Sequence, residues 1–222
     1  MIEEPLFDLA DPAGTTEFDL HRTGGLRVRA DGTFATATRI QLDATSWVDH
    51  VKGWLAGDTE LMTALMEEGD WEQRSRWMYT RVVDEPRLTA EYPVIEDAPQ
   101  PVLHYLAEVL SKHYERPYKR LWMNWYRDNE DGTGWHADRP QNRLEETVIP
   151  VLSLGATRRF LIRPAEGGPS TTIVTHGGDL VVMGGRCQKD YVHSVPKQKQ
   201  PAGARVSLNF STDTSQAEVN EA

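Results

Sequence analysis

The stretch Arg205-Val206-Ser207-Leu208-Asn209-Phe210 alternates polar and apolar side chains without interruption. Because side chains two positions apart on a β-strand project to the same side, Val206, Leu208 and Phe210 share one face and the three polar residues share the other. If helices cover the apolar face, the polar face must line a cavity. The stretch therefore predicts one strand of a jelly-roll barrel with a polar lumen.

The second half of the chain predicts more short strands, because β-prone runs alternate there with turns rich in Gly, Pro and Asp. Several short strands in succession are typical of a sandwich or barrel. The predicted strands cover residues 121–126, 147–152, 159–162, 171–174, 179–183 and 205–210.

The first half of the chain predicts helices, because apolar residues recur there at intervals of three and four. Residues 24–42, which alternate around an Asp31-Gly32 turn, instead predict a β-hairpin. The predicted fold class is α+β: a double-stranded β-helix, or jelly-roll, barrel with N-terminal helices packed outside. The expected helices are one capped by Thr45 or Ser46 and carrying Trp47, Val51, Trp54 and Leu55, one capped by Asp58 or Thr59 and ending before Gly69, and one over residues 101–114.

A chain of 222 residues is long enough for one sizeable domain and short for two. We expect that domain over residues 24–210, after an acidic segment 1–23 and before a disordered acidic tail 211–222. No stretch approaches the roughly 20 apolar residues that cross a bilayer, and no signal-peptide pattern opens the sequence. A single cysteine, Cys187, fits a reducing compartment and is expected to be inert. These features predict a cytoplasmic protein without membrane contact, and we expect a monomer.

The net charge of −10 is concentrated at the two ends of the chain. Residues 1–20 hold six acids and residues 211–222 hold three, with no Lys or Arg in either segment. The ends together therefore carry −9, and the interior carries about −1. The overall charge consequently does not exclude binding of the folded part to a phosphate backbone.

A second stretch, His136-Ala137-Asp138, forms a candidate metal site with His193. On a strand, the first and third residues of this stretch reach the same side. Two histidines and one carboxylate occupy one face of an octahedral ion and leave three positions open, as in non-haem Fe(II) oxygenases. A 2-oxo acid would take two of these positions and dioxygen the third. Arg205 could then hold the far carboxylate of 2-oxoglutarate, because a guanidinium matches a carboxylate in shape and charge.

Chance is the alternative explanation of the triplet, because a chain of this composition contains about 0.5 His-x-Asp triplets at random. Arg205 could likewise be a surface charge at the barrel rim. The surrounding sequence favours the metal site: Asn124-Trp125-Tyr126 lies just upstream, and a strand-like segment over residues 180–183 precedes His193.

Together these motifs resemble the AlkB-like Fe(II)/2-oxoglutarate dioxygenases over roughly residues 45–210. The resemblance implies Fe(II) bound by His136, Asp138 and His193, which would be the catalytic residues, together with 2-oxoglutarate as cosubstrate and dioxygen. It also implies cofactor-binding roles for four residues, with Arg205 on the distal carboxylate: Asn124, Tyr126, Arg205 and Ser207. Three further segments follow the family's pattern, namely Gly155-Ala156-x-Arg158-Arg159-Phe160, Asp179-Leu180-x-Val182-Met183 and Val192-His193-Ser194-Val195-Pro196-Lys197.

The segment 71–92 resembles the nucleotide-recognition lid of that family. It ends in Glu85-Pro86-Arg87-Leu88-Thr89-Ala90-x-Tyr92, a pattern common in members that act on methylated bases. Trp71, Tyr79 and Arg87 are the substrate-binding residues that this resemblance implies, with Trp71 and His136 on either side of a base. Core packing is the alternative for the aromatic residues.

Two positions depart from the family's pattern. Ser211 stands where the family usually has a second arginine near the oxo-acid end of the cosubstrate. Pro140 stands where base-repairing members often have an acid that contacts the base.

The resemblance implies an oxidative demethylase of N-alkylated bases, of the type that repairs alkylated DNA or RNA. Hydroxylation of the methyl group would give a hemiaminal that releases formaldehyde, while 2-oxoglutarate yields succinate and CO₂. Because the base must leave the stack, we expect single-stranded or locally opened nucleic acid as the partner. One alternative is a hydroxylase of a small metabolite or a protein side chain, which Pro140 favours. Another is a non-catalytic binding protein of the same fold, to which only Ser211 points.

Overall fold

The computed structural model describes residues 19–78, 80–139 and 141–212. The described chain is mainly β-structure. Its first half also forms strands, in an arrangement that differs from the predicted hairpin and includes a strand in place of a predicted helix. The strands are β1 Arg29–Ala30, β2 Ala37–Gln41, β3 Ser46–Val51, β4 Leu55–Ala56, β5 Ser75–Met78, β6 Arg81–Asp84, β7 Leu88–Tyr92, β8 Tyr118–Tyr126, β9 Thr133–His136, β10 Thr147–Gly155, β11 Arg158–Pro164, β12 Thr171–Thr175, β13 Leu180–Gly185, β14 Tyr191–Val195 and β15 Arg205–Thr212. The helices are α1 Asp58–Glu68, α2 Pro101–Tyr114 and α3 Cys187–Asp190, with 3-10 turns at Ile95–Asp97 and Gln141–Arg143.

Two antiparallel sheets form the jelly roll. The larger has seven strands in the order β2-β3-β13-β10-β15-β8-β7, and the smaller has four in the order β12-β11-β14-β9. All pairings within them are antiparallel. The six strands predicted in the second half of the chain all form, with ends shifted by up to three residues.

The larger sheet buries apolar side chains on both faces. One face packs with residues of α1 and α2 in a single hydrophobic cluster that includes Val206, Leu208 and Phe210, each 0% exposed. The other face packs against the smaller sheet, where Val151 and Val181 meet Phe160 and other residues of that sheet. The alternation predicted for β15 is thereby confirmed, because its apolar face meets the helices and its polar face turns toward the smaller sheet.

Helix α1 packs closely on the turn that joins β10 to β11. Gly155 in that turn has φ of 80°, and a Cβ there would lie 2.3 Å from Met62 Sδ of the helix. The predicted α1 and α2 are confirmed, and Pro101 begins α2. The predicted cap of α1 is wrong by one residue, since Gly57 holds the cap position and Asp58 accepts the Gly155 backbone N–H at 3.0 Å.

Two other predictions in the first half are wrong. Residues 46–51 form strand β3 instead of a helix, with Val48 in the cluster between the sheets and Val51 in the cluster with the helices. A strand buried on both faces lacks the alternation that identifies strands in a sequence. The Asp31-Gly32 turn forms, but β1 pairs with β4 and β2 pairs with β3, so residues 24–42 are not a hairpin.

The ends of the predicted domain lie partly outside the described residues. Strand β15 continues through Ser211 to Thr212, two residues into the segment that the sequence assigned to a disordered tail. The predictions for residues 1–18 and 213–222 fall outside the described residues. Within the described residues, none of the helices combines the length and the hydrophobicity that crossing a bilayer requires.

Cys187 is buried at the start of α3. Burial raises the pKa of its thiol to about 12, because a thiolate there would lose its hydration. The thiol therefore stays protonated and unreactive at neutral pH, in agreement with the prediction from the sequence.

Candidate metal centre and cosubstrate cavity

A cavity of about 980 Å³ opens between the two sheets. The polar face of β15 contributes Arg205, Ser207 and Asn209 to its wall, and β8 contributes Asn124 and Tyr126. Strand register explains this grouping, because Ser207 lies opposite Asn124, and Arg205 lies opposite Tyr126. The polar lumen predicted from the sequence is therefore present.

Three side chains in the wall form a compact set of metal ligands. Strands β9 and β14 place His136 directly opposite His193. The Nε2 atoms of both histidines lie 3.6 Å from Asp138 Oδ1, and all three ligand atoms lie within 4.8 Å of one another. This spacing matches one face of an ion's coordination sphere, and its donors suit Fe(II).

Neighbouring groups orient two of these ligands. His136 Nδ1 lies 2.9 Å from the Gly134 carbonyl oxygen, a contact that places the proton on Nδ1 and frees Nε2 for the ion. Gln188 Nε2 donates to Asp138 Oδ2 at 3.0 Å, and the Asp138 backbone N–H donates to Gln188 Oε1 at 2.8 Å. Only Asp138 Oδ1 is left facing the histidines.

The electrostatics keep these groups in their metal-binding states. Burial and the neighbouring His193 lower the pKa of His136, so its imidazole is neutral at physiological pH. Burial opposes ionisation of Asp138, but the two histidines and Gln188 outweigh it and hold the pKa of the carboxyl below its usual value. A neutral imidazole and an ionised carboxylate are the forms that bind a metal.

Arg205 is a buried cation with unused donors. It is 1% exposed, and its Nη2 donates to Ser153 Oγ at 2.9 Å. Its Nε and Nη1 have no hydrogen-bond partner among the described residues. Burial lowers the pKa of the guanidinium, because a buried charge loses its hydration. A carboxylate in the cavity would satisfy both the charge and the free donors, so this residue fits the distal carboxylate of 2-oxoglutarate.

The other polar groups of the wall form two hydrogen-bonded sets, one around Asn124 and one at Tyr126. Asn124 Oδ1 accepts hydrogen bonds from Arg87 Nε at 2.9 Å and from Trp122 Nε1 at 3.0 Å. Its Nδ2 donates to Ser207 Oγ at 3.3 Å. The Tyr126 hydroxyl lies 2.9 Å from Thr133 Oγ1. All four residues predicted to bind the cofactor therefore line one region of the cavity.

Comparisons with known proteins agree with this geometry. Residues 86–211 match the family described as the 2OG-Fe(II) oxygenase superfamily. The chain is also 30% identical to the mouse alpha-ketoglutarate-dependent dioxygenase alkB homolog 3, over 91% of this chain and 71% of that protein. The chain belongs to the AlkB-like 2OG-Fe(II) oxygenases. It is a dioxygenase that uses Fe(II), 2-oxoglutarate and O₂.

Two further comparisons place this AlkB-like oxygenase among its relatives. The mouse DNA oxidative demethylase ALKBH2 is 24% identical over 90% of this chain and 88% of that protein. The solved structure of OsALKBH1 superposes with a TM-score of 0.56 at 13% identity, covering 79% of this chain and 100% of that chain. The last likeness shows the shared fold alone.

The substrate-binding residues predicted for this AlkB-like oxygenase differ in whether they line the cavity. Arg87 lines the cavity and forms an ion pair with Glu85 at 2.8 Å. The indole N–H of Trp71 donates to the Leu65 carbonyl oxygen and its ring packs edge-on against Trp125, so a role of Trp71 in substrate binding stays a prediction. Trp71 belongs to the packing around the core and is not part of the cavity wall.

Two residues of interest, Tyr79 and Pro140, lie outside the described residues. Ser211, the other departure from the family's pattern, faces the cavity directly across from Arg120 of β8. A cation therefore lies beside the position where the family usually carries its second arginine.

Three residues that serve the site were not found from the sequence. Gln188 holds Asp138, Ser153 holds Arg205, and Trp122 holds Asn124. Each acts through a contact made by folding, and Gln188 and Ser153 lie 50 and 52 residues from the side chains that they hold. Trp122 carried the one available signal, because it lies two positions before Asn124 and so shares its face of the strand.

Proposed function

We propose that this oxygenase removes N-linked methyl groups from bases of single-stranded or locally opened nucleic acid, by the chemistry of DNA and RNA alkylation repair. The juxtaposition of a His-Asp-His ligand set with a buried arginine that has free donors carries the proposal. Relatives named as DNA oxidative demethylases support nucleic acid as the substrate. A cytoplasmic location and a monomeric state stay predictions.

In this proposal each group of the site has a defined task. His136, Asp138 and His193 hold Fe(II), which with 2-oxoglutarate and O₂ supplies the oxidation of the methyl group. Arg205 binds the distal carboxylate of 2-oxoglutarate, and the polar atoms of Asn124 and Ser207 complete its binding site. The cosubstrate is thereby oriented with its oxo-acid end toward the histidines.

A partly exposed cationic rim surrounds the same cavity and supports an anionic substrate. We define this rim as Arg74, Arg120, Arg139 and Lys189, all of which line the cavity. Lys189 is paired with Glu145, and Arg74 with Glu91 at 3.1 Å. Arg139 is exposed and forms no ion pair with a described residue. We propose that phosphates of the substrate strand bind along this rim.

The segment 71–92 is proposed as the nucleotide-recognition lid. Strands β5 and β6 form a separate two-stranded sheet within it. Trp77 and Val82 lie opposite each other on this hairpin and are 69% and 61% exposed. An exposed aromatic ring at this position can stack on a base. In this proposal Trp77 therefore takes the stacking role that was expected of Trp71.

Mass spectrometry of short single-stranded oligonucleotides tests the function. Oligonucleotides carrying 1-methyladenine or 3-methylcytosine are incubated with the protein, Fe(II), 2-oxoglutarate and air. We expect the loss of one methylene mass, dependent on both iron and 2-oxoglutarate. His136→Ala should abolish that loss, because it removes a metal ligand, whereas His104→Ala on the surface of α2 should leave it unchanged.

Two outcomes would contradict the proposal in different ways. Turnover retained by folded His136→Ala protein would exclude the assigned metal site. No loss of mass with folded, iron-loaded protein would exclude these methylated bases and favour a small metabolite or a protein side chain as substrate.

A further inference from the structure

We propose that Arg87 and Trp122 are positioning residues for 2-oxoglutarate, because together they fix the orientation of the Asn124 side-chain amide. The inference rests on the proposed function in one respect, namely that Asn124 contacts the cosubstrate. The inference also changes the role of Arg87, which was predicted from the sequence to bind the substrate and is here proposed to orient a residue that binds 2-oxoglutarate.

The contacts of Asn124 are asymmetric. Its Oδ1 accepts one hydrogen bond from Arg87 Nε and another from Trp122 Nε1, at 2.9 and 3.0 Å. A carbonyl oxygen has two lone pairs, so these two donors saturate it. The amide nitrogen is turned toward Ser207 Oγ, where it uses one of its two hydrogens. The second hydrogen is left for an anionic oxygen in the cavity.

Ser207 cannot fix this orientation by itself. A hydroxyl donates as well as accepts, so it would satisfy the amide of Asn124 in either of its two flipped states. The flipped state would present Oδ1 to a carboxylate and repel it. Arg87 Nε and Trp122 Nε1 can only donate. They therefore exclude the flipped state and keep a donor facing the cosubstrate.

The same two contacts connect the cosubstrate site to the proposed lid. Arg87 belongs to the segment 71–92 and is held by Glu85 of the same segment. The ring of Trp122 is covered by the guanidinium of Arg74, 4.3 Å from the ring centroid, and Arg74 also belongs to this segment. The lid thus reaches Asn124 directly through Arg87 and indirectly through Trp122.

Calorimetric titration of 2-oxoglutarate into Mn(II)-loaded protein, without oxygen or nucleic acid, tests the inference. Trp122→Phe keeps an aromatic ring on β8 but removes the indole N–H together with the smaller ring, and Arg87→Met removes the other donor. Each should raise the Kd for 2-oxoglutarate about threefold to tenfold, the range expected for one hydrogen bond. Arg159→Met is the matched control, because Arg159 is exposed on β11 and is not part of the wall of this cavity. Its Kd should stay within about twofold of the unmodified protein's.

A double-mutant cycle separates positioning from a general structural effect. In an Asn124→Ala background there is no amide to orient, so adding Trp122→Phe or Arg87→Met should raise the Kd no further. Losses that add fully in this background would overturn the inference, as would unchanged affinity in both single variants. Unchanged affinity in Asn124→Ala itself would show that Asn124 does not contact the cosubstrate. Because no nucleic acid is present, none of these outcomes depends on which base the enzyme repairs.

Discussion

Gln188 determines which oxygen of Asp138 faces the metal position, since it hydrogen-bonds both the backbone N–H and Oδ2 of that residue. Gln188→Leu should lower Mn(II) affinity by about tenfold to a hundredfold, the usual cost of losing a group that orients a ligand. Because Gln188 also helps to lower the pKa of Asp138, the loss should grow as the pH falls. Calorimetric titration with Mn(II) at two pH values measures both effects. Exposed Gln200→Leu is the control, and equal affinities for the two variants would contradict the expectation.

The residues that form the site could be predicted from the sequence better than the residues that hydrogen-bond to them and hold them in place. His136, His193 and Arg205 lie on strands, as predicted, whereas Asp138 lies two residues beyond the end of β9 and strand periodicity does not place it. Their supporting partners come from other strands and from α3, so no local pattern identifies them. Trp71 shows the converse problem, because an aromatic residue type is equally suited to a core and to a lid. Only the folded structure shows that the indole N–H of Trp71 donates to the Leu65 carbonyl oxygen.

Helix α2 is the element whose sequence was easiest to interpret, and its buried stripe offers a stability test. Leu106 is 0% exposed and packs in the cluster beneath the larger sheet. Leu106→Ala should lower the free energy of unfolding by about 2 to 5 kcal/mol, the range for a buried leucine truncated in a core. Lys112→Ala, on the exposed side of the same helix, should change it by less than about 0.5 kcal/mol. Urea unfolding followed by circular dichroism measures the difference, and similar values for both would contradict the packing described.

Elements that depend on distant partners were predicted poorly. Strand β3 lies between β2 and β13, and the residues of β13 are more than 120 positions away along the chain. The apolar residues of β3 have the spacing of a helix, but in the strand they pack into two hydrophobic clusters on opposite faces. Strands β8 and β15 were easier, because turns bound them and their lumen faces keep polar residues.

For the molecule as a whole, charge distribution predicts how nucleic acid binding responds to salt. The acids at the chain ends account for most of the charge of −10, whereas Arg139 of the rim is exposed and forms no ion pair with a described residue. Affinity for a short single-stranded DNA should therefore fall as salt rises, and Arg139→Gln should flatten the log–log slope by about 0.7 if Arg139 neutralises one phosphate. Arg116→Gln, exposed after the end of α2, should leave the slope unchanged. Fluorescence anisotropy across salt concentrations measures the affinity and its slope. If both variants changed the slope equally, the DNA would not bind along the rim.

The hydrogen bonds that hold Asp138 and His136 in place also affect which metal ion the enzyme binds. Ligands already oriented, with a tautomer and a charge state suited to binding, accept any first-row divalent ion of suitable size. Affinity alone would then follow the general series, in which nickel and copper exceed iron. The identity of the bound metal is therefore set by cellular supply more than by the site, and protein purified from a metal-rich medium should contain inactive substitutes that chelation and reloading with iron replace.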